Sequence, residues 1–162
     1  MAEILLDTTY LLPVFSVDVG LKGFKKYFPK LLVEHEVYYS PASLVEAKWI
    51  VLALVKRGVE GLLEAYRVGL RALLSDVRLR QTPLTTPEVE EVADEALKEG
   101  LKDYFDRLLF ATAACLDLVL LTEDEELHEL LRRWRAPKPK GALTWREAVE
   151  KLAKGGKALE GP

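Results

Sequence analysis

The chain holds 162 residues, 49% hydrophobic and 30% charged, with a formal net charge of −3. That length and balance suit one compact domain with a sizeable core and exclude a disordered or fibrous protein. The slightly acidic total also excludes a broadly basic surface that coats nucleic acid, leaving any such contact to local patches.

The opening MAEILLDTTYLLPVF lacks a basic leader and carries Glu3 and Asp7 inside its apolar stretch, unlike a secretory signal. EILLDTT reads as a short buried strand, Pro13 starts or kinks the apolar segment behind it, and a helix is predicted over residues 20–34. EVYYS is the next strand. Ser40-Pro41 then signals a helix start, with Ser as N-cap and Pro in the first helical position, and the helix runs to about Arg57. Gly58 and Gly61 interrupt the pattern before LLEAYRVGLRALLS, a helix expected to lie antiparallel to its predecessor, and VRLRQ, a short strand. Thr86-Pro87-Glu88 opens a helix ending near Gly100, and DYFDRLLFATAACL is apolar on nearly every face, as a buried helix is. LVLLT is a continuous apolar strand of the parallel-sheet type, and EDEELHELLRRW resumes helical periodicity. Thr144-x-x-Glu147 is a capping box for a last helix, and KGGKALEGP reads as a frayed tail. The alternation of strands and helices predicts an α/β domain with a parallel sheet.

Two basic patches stand out: Lys22, Lys25, Lys26 and Lys30, and the segment RRWRAPKPK with Arg132, Arg133, Arg135, Lys138 and Lys140. Cys115 is the sole cysteine, so an intramolecular disulfide is impossible and a packed small hydrophobe is expected. With no run near the roughly 20 apolar residues of a membrane span, a cytoplasmic protein without a membrane partner is expected. Asn is absent, Gln81 is the only Gln and Met1 the only Met, a composition resembling a thermophile's.

Four acids, Asp7, Glu46, Asp106 and Asp124, each interrupt or end an apolar run. Asp7 and Asp124 follow predicted strands, where ligands collect in open parallel sheets. Each has a structural alternative: Asp7 as cap of the next turn, Asp124 as a first-turn acid on the helix dipole, Glu46 as the far member of a Ser43-x-x-Glu46 capping box. Ser40-Pro41 argues for the earlier start, which puts Glu46 in the second turn. Asp106 shares a helical stripe with Leu109, Phe110 and Ala113, and a lone buried carboxylate there needs a cation or a partner such as Arg107 or Lys102. Asp103 has an i,i+4 pairing with Arg107 available. Two carboxylates about 4 Å apart repel by roughly 4 kcal/mol at an effective dielectric near 20, so a cluster needs protons or a cation. Oxygen-only donors favour Mg²⁺ or Mn²⁺ over a closed zinc cage. His35 and His128 fall outside the acidic strings and are expected at the surface or an interface.

LLDTTYLL, SLVEAKW, DRLLFATA and LLTED, in that order and at these intervals, resemble the motifs of the PIN-domain family, which includes VapC-type toxin ribonucleases and RNA-processing nucleases. The resemblance implies an α/β/α sandwich around a parallel sheet of about 4–5 short strands. It implies a PIN-like nuclease domain over residues 1–135, with residues 136–162 as an extension holding a short helix and packed on the same domain. It further implies that Asp7, Glu46, Asp106 and Asp124 bind Mg²⁺ or Mn²⁺ and carry catalysis, with Thr122 and Asp103 auxiliary. Thr122 has its own alternative as the helix cap of Thr122-x-x-Glu125. The implied activity is hydrolysis of an RNA phosphodiester by water, without a covalent enzyme intermediate, on single-stranded or looped RNA. A VapBC-type toxin with an antitoxin partner, and a homodimer using the apolar helices from Trp49 to Leu74, complete that expectation.

Two rivals differ in class. A haloacid-dehalogenase-like phosphatase also ends its first strand in an acid and uses Mg²⁺, but its second acid would fall at Thr9, and no lysine stands just ahead of the closing acids. A PIN-like module that binds RNA or protein without catalysis would rely on the basic RRWRAPKPK segment.

Overall fold

The computed structural model describes residues 1–155. Five parallel strands form one sheet: β1 (Glu3–Leu6), β2 (Glu36–Tyr39), β3 (Leu79–Gln81), β4 (Val119–Leu121) and β5 (Gly141–Leu143), in the order β3-β2-β1-β4-β5. Seven α-helices among the described residues connect them: α1 (Phe24–Glu34), α2 (Pro41–Lys56), α3 (Leu62–Ser75), α4 (Pro87–Lys98), α5 (Tyr104–Cys115), α6 (Glu125–Arg133) and α7 (Trp145–Ala153). Short 3-10 turns at Thr8–Tyr10 and Leu12–Phe15 follow β1, with Pro13 opening the second.

The short strands are continuous apolar runs because the sheet is covered on both faces. Successive side chains point to opposite faces. Ile4, Leu6, Val119 and Leu121 therefore join a core with α1, α2, α3 and α7, while Leu5 and Leu120 join another with residues of α4, α5 and α6. A third cluster packs Ala42 against α4 and α5 through Val92, Ala93, Leu108 and Ala111. α5 is buried from Leu108 to Ala114, as its all-round apolarity requires.

Helix starts follow the expected chemistry. The Ser40 hydroxyl accepts from the Ala42 amide, the Thr86 hydroxyl from Val89, and Thr144 forms the full capping box with Glu147. The first helix begins later than residue 20, at Phe24, because Gly20 and Gly23 take positive φ of 73° and 69° that a helix cannot continue. β5 was not among the expected strands: three residues, Gly141, Ala142 and Leu143, carry no readable period, and only pairing with β4 defines them. Cys115 is half-buried rather than fully enclosed, packing beside α4 with its thiol raised by burial and then by Glu88 and Glu91. His35 is buried, not at the surface; its Nδ1 accepts from the Ala2 amide at 3.1 Å and ties α1 to the start of β1. KGGKALEGP lies mostly at residues 156–162, outside the described residues.

Gly69 is fitted to the fold. A Cβ there would come 2.3 Å from the Val14 carbonyl oxygen and 2.8 Å from the Phe15 ring, so α3 lies directly on the second 3-10 turn. Helix propensity alone favours Ala over Gly by about 1 kcal/mol. Overpacking against backbone outweighs it, and Gly69→Ala is expected to destabilise the protein by about 1–3 kcal/mol, read as a lower urea midpoint at unchanged slope.

Candidate metal centre and active site

Leu6 and Leu121 are partners at the carboxyl ends of the paired strands β1 and β4, so the next residues, Asp7 and Thr122, emerge side by side. The Asp7 amide donates to the Leu121 carbonyl at 3.0 Å, and the Thr122 hydroxyl donates to Asp7 Oδ2 at 2.6 Å. Thr122 is completely buried and its amide donates to the Leu143 carbonyl at 2.9 Å, so β5 fixes it from the other side. Asp7 occupies the N-cap position of the first 3-10 turn without a capping side-chain bond, and its Oδ2 accepts from Thr122 instead.

Glu46 enters from the second turn of α2, whose start is set by Ser40 and not by Ser43. Asp106 enters from the first turn of α5. The two line one narrow cleft with Asp7, Thr8, Ser40 and Ser43. Asp124, the N-cap of α6, accepts from the Glu126 amide at 2.8 Å through one oxygen, and its own amide donates to the Thr122 hydroxyl at 3.1 Å. The cap of α6 is thus Asp124, and the Thr122 hydroxyl instead links Asp124 to Asp7. Asp103 does not pair with Arg107: its carboxylate caps α5 through the Asp106 amide at 3.1 Å, while the Arg107 guanidinium lies over the Tyr104 ring. The cap geometry wins because it satisfies an amide with no helical acceptor.

Electrostatics records the convergence. Asp7 is held at about 6, raised first by burial and further by Glu46 and Asp124, with the Thr122 bond pulling the other way. Asp106 is pushed to about 8 by burial and then by Asp103, Asp124, Asp7 and Glu46. Glu46 is raised by burial, with Thr8 opposing and Asp103 adding. Five acids from four places in the chain therefore feel one another, although among the described residues no three acidic, histidine or cysteine side chains already stand at the spacing of a ready-made ion site.

The donor set is oxygen only and strained by repulsion, which suits a hard divalent cation.

Glu123 escaped the sequence reading. Its Oε1 accepts both from the buried Tyr10 hydroxyl and from the Trp145 amide, each at 2.6 Å, joining the turn after β1, the end of β4 and the start of α7. Burial and then the Glu123 carboxylate hold the Tyr10 phenol far above its ordinary range, so it stays a donor. Only its place between Thr122 and Asp124 pointed to it. His128, expected at the surface or an interface, is half-buried, and its Nε2 donates to the Thr122 carbonyl at 2.9 Å.

The chain belongs to the PIN-domain family: the PIN domain matches residues 4–132. Among solved structures it is similar to PAE2754 from Pyrobaculum aerophilum, with 22% identity, TM-score 0.61, and 94% of this chain and 96% of that one covered. It is likewise similar to VapBC2 from Rickettsia felis bound to a promoter DNA fragment, with 16% identity, TM-score 0.62, and coverage of 88% and 98%. FitAcB from Neisseria gonorrhoeae matches with 22% identity, TM-score 0.54, and coverage of 76% and 89%. These likenesses establish the shared fold. A comparison with curated proteins returned no match.

In the folded, cation-free protein Asp7 and Asp106 keep their protons to about 6 and 8, against 3.8 when unfolded. The folded state then binds more protons than the unfolded one, so stability falls as pH rises from about 4 to about 8. For Asp7 alone the loss is on the order of 3 kcal/mol. Thermal unfolding in EDTA should therefore give a higher Tm at pH 5 than at pH 8, Mn²⁺ should raise Tm more at pH 8 than at pH 5, and Asp106→Asn should flatten the pH dependence. An equal Tm at both pH values in EDTA would contradict it.

Proposed function

We propose that this PIN-domain protein is a metal-dependent endoribonuclease, using Mg²⁺ or Mn²⁺ to hydrolyse RNA phosphodiester bonds, and that it is the toxin of a VapBC-type pair. The observation that carries the reading is the convergence of Asp7, Glu46 and Asp106 on one cleft, with Asp124 joined to Asp7 through the Thr122 hydroxyl and with Asp7 and Asp106 driven to about 6 and 8. A purely structural network would have paired these acids with Lys or Arg, yet burial and the other acids dominate their surroundings.

These four residues would hold the ion, with Asp103 an auxiliary acid beside Asp106. When bound, a divalent ion supplies a Lewis acid that neutralises charge on the scissile phosphate and favours deprotonation of water. Thr122 orients Asp7 by its hydrogen bond, and the α6 amide at Glu126 holds one Asp124 oxygen. The Ser40 cap and the α5 cap at Asp103 fix the helices that deliver Glu46 and Asp106. Cleavage at such a centre needs no contribution from the ribose 2′-hydroxyl.

Structural neighbours solved as toxin-antitoxin complexes, including one from Klebsiella pneumoniae with TM-score 0.55, support an antitoxin partner. Exposed Leu52 and Leu74 on the groove between α2 and α3 support a homodimer. No helix among the described residues is long and apolar enough to cross a membrane, which fits a cytoplasmic site of action.

End-labelled single-stranded RNA incubated with the protein should be cut in Mg²⁺ or Mn²⁺ and spared in EDTA. Asp106→Asn should lower the rate by at least about 100-fold, since a ligand to the ion is lost. Absence of cleavage across varied RNAs, with the protein folded, would move the reading to a binding module.

A further inference from the structure

Trp49 stands three residues after Glu46 on α2, one helical turn away on the same side. Trp49 is 60% exposed, a large apolar surface that borders both the α2–α3 groove of Leu52 and Leu74 and, through Phe105, the acidic cleft. The ring is not adrift: it meets Phe105 edge to face, with centroids 5.3 Å apart and planes at 88°. Phe105 lines the cleft and immediately precedes Asp106. The pair thus spans from the wall of the acid site to open solvent, and each ring is anchored in a helix that also delivers a candidate ligand.

Charge makes that placement informative. The cleft is lined by carboxylates, and the net charge of the chain is −3. Among neighbouring cations, Lys48 lies over the Tyr66 ring and Arg107 over Tyr104. Retention of a nucleic acid here therefore gains from contacts that do not depend on charge, and base–aromatic stacking is of that kind.

We propose that Trp49, backed by Phe105, stacks on an unpaired base of the RNA next to the scissile phosphate. This rests on the ribonuclease reading and deepens it, since a base stacked there must be free of a duplex. The enzyme would accordingly select single-stranded or looped segments through Trp49, a specificity-determining residue rather than a catalytic one.

The test measures binding apart from cleavage. In an Asp106→Asn background with Mg²⁺, the affinity for a fluorescein-labelled single-stranded oligoribonucleotide is read by anisotropy, beside the same sequence annealed as a duplex. Trp49→Ala should weaken single-strand binding about tenfold, Trp49→Phe should retain most of it, and duplex binding should change little. Unchanged affinity in Trp49→Ala, equal losses in the Ala and Phe variants, or equal losses for single strand and duplex would overturn the proposal. So would a changed mass of Trp49→Ala by light scattering, which would assign the ring to a protein interface. A wild-type enzyme that cleaves RNA while Trp49→Ala binds normally leaves the nuclease reading standing and removes this one. Trp49-dependent single-strand binding without wild-type cleavage does the reverse.

Discussion

The pairing of β1 with β4 is the constraint on which the site depends. Register places Leu6 opposite Leu121, and the two following residues have no freedom but to stand together. A slip of one residue would turn Asp7 away from Thr122 and would also exchange the two faces of each strand, placing Leu5 where Leu6 belongs. The apolar cores on both sides of the sheet thus lock the register, and the register sets the 2.6 Å bond between Thr122 and Asp7. The position of the acids is a by-product of hydrophobic packing.

That packing works against the charges it assembles. Asp7 is nearly buried, and Asp106 sits at the end of a helix whose next turns are wholly buried. Neither has a basic partner, so the cation-free protein meets part of the cost by holding protons. The outer ties are of another kind: neutral or singly charged hydrogen bonds such as those of Glu123 to Tyr10 and Trp145, which join three segments without adding to the repulsion inside. Stability is sacrificed at the centre and regained around it.

Much of the fold was legible because its signals are local. Ser40-Pro41, Thr86-Pro87 and Thr144-x-x-Glu147 each name a helix start through one side-chain bond, and all three form. The four acids were legible because a carboxylate inside an apolar run is costly in itself. What stayed hidden depends on partners distant in sequence. β5 has too few residues to show a period, Glu123 drew no reading among the acids around it, and His35 was expected at the surface or an interface until Ala2 was placed beside it. Asp103 was read as an i,i+4 partner of Arg107, and only the actual start of α5 shows it as the cap.

Three of the four strand pairings in the sheet join residues more than 30 apart along the chain: Glu3 with Glu36, Val37 with Leu79, and Ile4 with Val119. A chain emerging from the ribosome can therefore form α1 to α5 while Asp7 still waits for Thr122. Until β4 and β5 arrive, Asp7 lacks the Thr122 hydroxyl, and Asp124 is not yet joined to it. The Asp124 share of the electrostatic cost thus falls at the end of folding, after the helices that bury Asp7, Glu46 and Asp106 have formed.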